Sequence, residues 1–512
     1  MEAIRLFCRE LEQGDPGELK RTPRVGIYAN SLEFRGDCAW FMARLNGKKV
    51  LVAYRQGELD DPLEGTIEEA GEGRLKICET SAVNAAHLRR LFPFTRPRPL
   101  SPNAETPSIG LGDRLGIAAP GQIRAARPYA LFPVLAQQTP LELALTDRSR
   151  QGVLDDVTWS VFQENFQSGY GADADGLRTS AEVQGALAGG STMITLSLAD
   201  HIAKDLGQQP IEQVLNHFQN LPVDVRKAYV NRYLDKTFTL HGPDGRRVTV
   251  RIGGAALAQI VTTYHDALQV ALGVYRNHLA DGRVDFELAL DEPLTPTTPE
   301  AHWVIASELM RSGVQLFSLA PRLRGDWLPG VDYRGDLQQF DQEFRVHAAI
   351  AAAWGYRLSL HGASDKFSLY PTLVREAGQG FHLKTSGTTW LQGLRLVALK
   401  EPALFREIGR YCLAHYAQAE RNQPIVVNEE NIPDLERLGD EELAPLFESD
   451  DFRQIAHIAY GLVLGAKDET GAPLFRERLF RLWGREEEAY EGTVAFNLRR
   501  HFELLGIPKR PG

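Results

Sequence analysis

Cysteine is scarce in this chain: there are 4 in 512 residues, Cys8, Cys38, Cys78 and Cys412, and none forms a CxxC pair. That spacing excludes a disulfide framework and a thiolate zinc site, leaving reduced structural thiols. No apolar run reaches the roughly 20 residues that cross a bilayer, and Met1 to Lys20 mixes charge with apolar side chains, so neither a membrane span nor a signal peptide is expected. Basic stripes interleaved with aromatics are missing too, and a net charge of -10 gives no general attraction for nucleic acid. The chain has no GxSxG elbow and no HExxH, and GLGDRLG lacks the glycine spacing, lysine and serine of a phosphate loop. The expectation is a cytoplasmic protein acting on a small molecule.

Apolar residues make up 43% of the chain, an ordinary globular share, and the length exceeds what one compact core usually serves. Residues 1–105 read as a β-rich module: GIYANSLEF, CAWFMARLNGKKVLVAYRQG and GRLKICET are short strands, and NGKK is a hairpin signal. RPRPLSPNAETPS closes the module as a linker.

From 106 to 420 short apolar strands alternate with helical segments, the pattern of a parallel sheet wrapped by helices. Eight strands are expected, in SIGLGDRLGIA, YALFPVLAQQ, GYGADADGL, STMITLSLAD, VDFELALDEP, VQLFSLAPR, YRLSLHGASD and GFHLKTSGT. An α/β fold follows, a (β/α)8 TIM-type barrel with its site at the C-terminal strand ends. Helices are expected between the strands, the last running from Trp390 to Glu420. Residues 202–252 form an insertion after the fourth strand, a helical piece and a hairpin turning at Pro-Asp-Gly, suited to cover the site or to build a homo-oligomer interface. Residues 421–512 read as a helical extension packed on the barrel, with PIVVN as an extra strand and LLGIPKRPG as a frayed end.

The chemistry concentrates in YRLSLHGASDKFSLYPTLVREAGQGFHLKTSGTTW. Strand alternation sets Leu358 and Leu360 on one face and Arg357, Ser359 and His361 on the other, and it sets His382 and Lys384 opposite Phe381 and Leu383. Two imidazoles on adjacent strands are a common metal grip, although a lone histidine is more often a satisfied core or surface residue. His201 follows directly on the fourth strand. It completes a candidate triad, His201, His361 and His382, for a divalent cation with open positions, the donor type accepting zinc, manganese, nickel or cobalt alike. The bland alternative is a helix start at His201 with Asp200 as its cap.

Glu287 and Asp291 face the barrel axis, where a carboxylate is costly unless paired or functional; Glu292 follows them at the strand end. Asp173 and Asp175 in GADADG lack the remaining ligands of a calcium loop and suit sugar hydroxyls better. Gln137, Gln138, Ser364 and Thr385 are further strand-end polar groups. Arg114, Lys366 and Lys384 supply local positive charge for a small anionic ligand.

GLGDRLGIAAPG, FPVLAQQTP, DDVTWSVFQENFQSGYGADADGLRT, DEPLTPTTPEAH, LHGASDKFSLYP and FHLKTSGTTWL together resemble the signature segments of the tagaturonate epimerases, over most of residues 107–400. The resemblance implies a metal-dependent enzyme that interconverts tagaturonate and fructuronate. An Asp-His pair on one strand and two later histidines also resemble the site of class II aldolases. That likeness assigns proton handling to Asp200 and the metal to His201, His361 and His382. Those aldolases follow their last histidine with a glycine-serine phosphate loop, whereas here Lys384 and Thr385 stand, a better match to a carboxylate. A ketohexuronate substrate is therefore expected, with retro-aldol cleavage and re-addition as the route. In that route Asp200 takes a hydroxyl proton and Glu287 or Asp291 returns one. An aldolase acting on a sugar acid or ketose, and a non-catalytic sugar-binding barrel, are the alternative readings.

Overall fold

Each barrel strand is short because only its alternation is needed: one set of side chains feeds the helical shell, the other fills the barrel. The structure is a computed structural model that describes residues 1–100, 105–203, 209–291 and 295–511; Glu292 and part of the expected linker lie outside the described residues. An N-terminal sheet comprises β1 (Ile27–Arg35), β2 (Cys38–Leu45), β3 (Lys48–Arg55), β4 (Thr66–Ala70) and β5 (Gly73–Glu79), in the order β1-β2-β3-β5-β4. The hairpin of β2 and β3 turns at Asn46 and Gly47, both with positive φ, as the NG signal requires. One face of this sheet buries against the helix Glu2–Gln13, which sequence reading missed. Its other face packs Trp40, Met42 and Leu51 on Trp159 and Phe162 of a barrel helix. All four cysteines are buried and free.

The barrel strands are β6 (Ser108–Leu111), β7 (Phe132–Gln138), β8 (Gly171–Leu177), β9 (Met193–Ser197), and, after the hairpin β10 (Lys236–His241) and β11 (Arg247–Ile252), β12 (Asp285–Ala289), β13 (Ser318–Ala320), β14 (Arg357–Leu360) and β15 (Phe381–Thr385). They close in the order β12-β13-β14-β15-β6-β7-β8-β9, every neighbouring pair parallel. The eight expected strands and the inserted hairpin are present. Phe132, Val134, Met193 and Phe317 plug the N-terminal end of the barrel with apolar side chains, leaving the polar interior to the other end.

Three expectations need correction. Trp390–Glu420 is two helices, Thr388–Lys400 and Pro402–Glu420, because a proline starts a helix well and cannot continue one. PIVVN forms no strand; Val426 instead exchanges backbone hydrogen bonds with the Gln454 side chain. The C-terminal stretch is tied down: Ala130 N–H donates to Pro508 O and Arg510 N–H to Pro128 O, while the Arg510 guanidinium reaches Tyr129 O, Leu131 O and Ser168 Oγ.

The C-terminal helices seat on the barrel through Trp390 and Trp483, edge to face at 6.2 Å, each indole donating to a backbone carbonyl across the junction. Gly387, between β15 and Thr388–Lys400, has φ +83, and a Cβ there would strike His457 Nε2 and Arg114 Nη1. Gly387→Ala is therefore expected to lower the urea midpoint by an amount equivalent to roughly 2 kcal/mol or more. An unchanged midpoint would show that the C-terminal helices yield to the added methyl.

Candidate active site

β8 carries an irregularity in its pairing with β9 between Ala174 and Leu177, with Gly176 at φ +68. A bulge of this kind redirects the flanking side chain, and Asp175 sits on it at the barrel mouth. Gln137 of β7 donates Nε2–H to Asp175 Oδ2 at 2.8 Å. Gly110 on β6 makes the room, since a Cβ there would strike the Gln137 side chain and meet Lys384 Cγ at 3.4 Å.

Lys384 rises from β15 into this space. Its Nζ lies 2.8 Å from Asp173 Oδ2, 2.8 Å from Asp175 Oδ1, 2.8 Å from Glu287 Oε1 and 2.7 Å from Thr195 Oγ1. Thr195 accepts from the ammonium and passes its own hydrogen to Asp173. Burial pulls the Lys384 ammonium down, but the three carboxylates together hold it well above its usual value. Burial would raise Glu287 and Asp175; Lys384 and His361 overcome it, holding Glu287 well below the usual carboxylate range and lowering Asp175. For Asp173 burial wins against Lys384 and the pKa moves up to about 6.

His361 follows β14 directly and bridges two of the acids. Its Nε2 is 2.7 Å from Glu287 Oε1 and its Nδ1 is 3.1 Å from Asp291 Oδ2. Burial opposes the imidazolium, yet Asp291 and Glu287 push its pKa up to about 10. Above this layer opens a cleft of about 570 Å³, lined among others by Asp175, Asp291, His361, Arg114 and Arg178. β8 and β14 lie four strands apart in either direction around the closed order, so Asp175 and His361 face each other from opposite walls.

The expected metal triad does not assemble. His201 is exposed beyond the end of β9. His382 is fully buried one layer below Lys384, with Nδ1 3.0 Å from Ser108 Oγ, and burial pushes its pKa down to about 3. Both nitrogens of His361 are engaged by carboxylates. Among the described residues no three His, Cys, Asp or Glu side chains gather to hold a metal ion.

The other expected site residues divide as plainly. Arg114 lines the cleft, its Nε donating to Glu142 and its guanidinium 4.0 Å over the Tyr460 ring. Asp200 stands exposed at the rim, 2.7 Å from Arg178 Nη1. Glu287 is wholly buried beneath His361. Lys366 does not reach the cleft: its ammonium is spent on the carbonyls of Leu328 and Val331, and burial lowers its pKa to about 8. Ser364 ties to the Ser386 backbone, Thr385 donates to Gly110 O, and Gln138 is buried with its amide unpartnered. Sequence reading missed Arg178, one residue past a strand it had identified. It also missed Tyr460, Asn422 and Gln423, which reach the cleft from the C-terminal part of the chain with no local signal.

Comparison with known proteins agrees with this architecture. A family model described as tagaturonate epimerase matches residues 28–505. A tagaturonate/fructuronate epimerase of Thermotoga maritima is 35% identical over 485 residues, 94% of this chain and 96% of that protein. A glycerol-complexed crystal structure of fructuronate-tagaturonate epimerase UxaE from Cohnella laeviribosi superposes with a TM-score of 0.90 at 41% identity, over 94% of this chain and 97% of that one. The native crystal structure of that enzyme gives 0.91 at 39% identity, over 99% and 100%.

Lys384→Met would strip three buried carboxylates of their cation, a loss of roughly 3–5 kcal/mol. Without Lys384 the carboxyl pKa values rise above their unfolded values, so the mutant's remaining stability is greatest at low pH and drains as pH rises through the raised values. Urea melts should show a larger deficit against wild type at pH 8 than at pH 5. Equal deficits at both would mean the ammonium does not hold the acids ionised.

Proposed function

Because the chain belongs to the tagaturonate epimerase family and is an epimerase of the tagaturonate and fructuronate pair, we propose that the barrel-mouth cleft inverts the substrate by retro-aldol cleavage and re-addition. The two ketouronates differ at the carbinol carbon β to the ketone, whose hydrogen is not acidic enough for enolisation to invert it. Breaking the bond between the α and β carbons makes that centre a flat aldehyde, which can turn and be attacked on its other face. Such a route needs a proton acceptor for the hydroxyl on one side and a donor for the new alkoxide on the other.

The opposed placement of Asp175 and His361 supports this reading more than any other observation. Asp175, held ionised, takes the hydroxyl proton; the α–β bond breaks and its electrons pass through the α carbon onto the ketone oxygen, giving an enediolate. After the aldehyde turns, the enediolate carbon re-adds and the alkoxide takes the proton on His361 Nδ1, the hydrogen held by the longer 3.1 Å contact to Asp291. Each turnover leaves one proton gained by Asp175 and one lost from His361 Nδ1, and exchange with water in the open cleft restores both ends. In the reverse direction the roles exchange. Glu287 acts through His361 as a positioning residue, and Asp200, paired to Arg178 at the rim, is assigned no proton in this scheme.

Divalent-cation dependence is part of the same proposal, the ion being zinc, manganese, nickel or cobalt, with Asp175, Asp291 and the His361 imidazole as the groups that would hold it. Its support is charge, since among the described residues Asp173, Asp175, Glu287 and Asp291 outnumber Lys384 and His361, the two cations that bond them, and Asp291 Oδ1 is buried without a hydrogen-bond partner. A cation there would offset the negative charge of the enediolate; the proton steps above do not run through it.

Proton NMR of fructuronate with the protein tests the scheme. Tagaturonate should appear, stop appearing after chelation and return with added metal; in deuterium oxide neither the α nor the β carbon should gain deuterium. His361→Asn and Asp175→Asn should each lower kcat at least about 100-fold, and wild-type kcat should fall as pH rises through about 10, where His361 loses its proton. Deuterium on the β carbon, or wild-type kcat in both variants, would overturn the scheme.

A further inference from the structure

Tagaturonate and fructuronate carry a carboxylate that neutral ketohexoses lack, so a cleft that selects them needs a cation with donors to spare. Among the described residues, Arg114, Arg178, His361 and Lys384 are the cationic side chains that line it. Lys384 is ringed by three carboxylates and a hydroxyl. His361 is held at both nitrogens by Glu287 and Asp291, and Arg178 is engaged at the rim by Asp200. Turning Lys384 or His361 to a new anion would break buried ion pairs, which is costly.

Arg114 is enclosed yet only partly engaged. It lies just beyond β6 on a turn fixed by Asp113, whose carboxylate accepts from the backbone N–H of Leu115 at 2.9 Å and of Ala118 at 2.7 Å. Glu142 Oε1 accepts from Arg114 Nε at 2.9 Å, His457 O accepts from Nη1 at 3.3 Å, and the guanidinium lies 4.0 Å over the Tyr460 ring. The side chain is 4% exposed. A guanidinium carries five N–H donors, and these bonds use one on Nε and one on Nη1. Nη2 hydrogen-bonds no described residue and is not sealed away from the cleft that Arg114 lines. A guanidinium set in place by three partners, with donors still open, can grip a carboxylate through two parallel hydrogen bonds and release none of them.

Position around the barrel points the same way. In the closed strand order β6 lies two strands from β14 on one side and two from β8 on the other, and β12 lies two from each on the opposite side. A sugar acid whose reacting carbinol sits between Asp175 and His361 therefore has Arg114 beyond β6 on one flank and Glu287 and Asp291, in and just past β12, on the other. The reacting carbinol lies between the ketone and the carboxylate along the substrate chain. Charge favours the carboxylate toward β6 and the ketone toward β12.

We infer that Arg114 anchors the substrate carboxylate and so selects hexuronates over uncharged ketohexoses, with Tyr460 as the positioning residue that holds the guanidinium plane from the C-terminal part of the chain. The inference rests on the epimerase reading of the same cleft. It leaves Lys384 to charge balance inside the barrel.

The test is a steady-state comparison on full-length protein with fructuronate. Arg114→Met should raise KM about 10- to 100-fold, the range for losing hydrogen bonds between charged groups, with kcat held within a few-fold, because the carboxylate is bound alike before and during the reaction. The aldonate galactonate should inhibit wild type better than the uncharged galactitol, and Arg114→Met should abolish that advantage. Arg114→Met leaves Glu142 buried without its cation, so the double variant Arg114→Gln with Glu142→Gln, which removes both charges and keeps a capping-box amide, carries the same test. Tyr460→Leu should raise KM by a smaller factor with kcat retained, and Tyr460→Phe, which keeps the ring, should recover most of the loss.

Unchanged KM and an unchanged galactonate advantage in a folded Arg114 variant would overturn the anchor, as would wild-type protein that inhibits alike with galactonate and galactitol. Collapse of kcat at unchanged KM would place Arg114 at the reacting carbon instead and overturn it too. Equal KM values for Tyr460→Phe and Tyr460→Leu would overturn the positioning role of the ring. If wild type fails to convert fructuronate the epimerase reading falls, whereas conversion with indifferent Arg114 variants defeats the anchor alone.

Discussion

One ammonium group holds the centre of this barrel together. Lys384 on β15 is the common partner of Asp173 and Asp175 on β8 and Glu287 on β12, with Thr195 of β9 between them. Three carboxylates in a space closed to water would each demand protonation or a counter-charge. Placing one cation at 2.8 Å from all three satisfies them in a single step and ties β8, β9, β12 and β15 across the interior. The geometry of the cleft follows from that tie. Asp175 is aimed by Lys384 from one side and Gln137 from the other, and Glu287, fixed by Lys384 and Ser318, in turn fixes the imidazole of His361.

The same arrangement sets the charge state of each wall. His361 is held as an imidazolium because two acids flank it, while Asp175 is held as a carboxylate because Lys384 and His361 both favour its charge. A donor and an acceptor thus face each other without either having an unusual covalent environment. Burial alone would have driven both toward neutrality; the pairings reverse its sign. His382 shows the contrast. It is equally enclosed, no carboxylate among the described residues hydrogen-bonds it, and burial takes its pKa down to about 3 against the pull of Glu287.

His382 also marks the limit of what alternation along a strand reveals. The polar faces of β14 and β15 were legible from the residues, and both His361 and His382 do point into the barrel. Alternation says nothing about height, which is set by the register between strands. Ser359 pairs with His382 and Leu360 with Leu383, so His361 stands level with Lys384 and His382 lies a layer below. A shift of two residues in that pairing would have brought the two histidines side by side; the observed register brings a lysine instead. The barrel itself, its eight strands and the inserted hairpin rest on local patterns and were accessible. Tyr460, Asn422 and Gln423 were not, because what carries them to the cleft is the seating of the C-terminal helices through Trp390 and Trp483, a contact between residues 93 positions apart with no periodic signature. His201 failed for a third reason. It follows an apolar strand, but the chain turns at Asp200 and the imidazole ends in solvent.

The distribution of charge between the floor and the rim explains why the site can accept an anion at all. Among the described residues of the buried layer four carboxylates outnumber the two cations that bond them, and a negatively charged sugar acid brought close to it would be repelled. The repulsion falls with distance and with the dielectric of the surroundings, so a carboxylate kept at the hydrated mouth pays far less than one pressed against the floor. Arg114 and Arg178 both line that cleft. In the proposed scheme the charged end of the substrate stays in the hydrated mouth, while the uncharged hydroxyl and ketone groups enter the layer in which protons are exchanged. The excess negative charge of the floor then serves orientation, since a substrate that entered carboxylate first would meet Asp175 and Asp291 and be turned away.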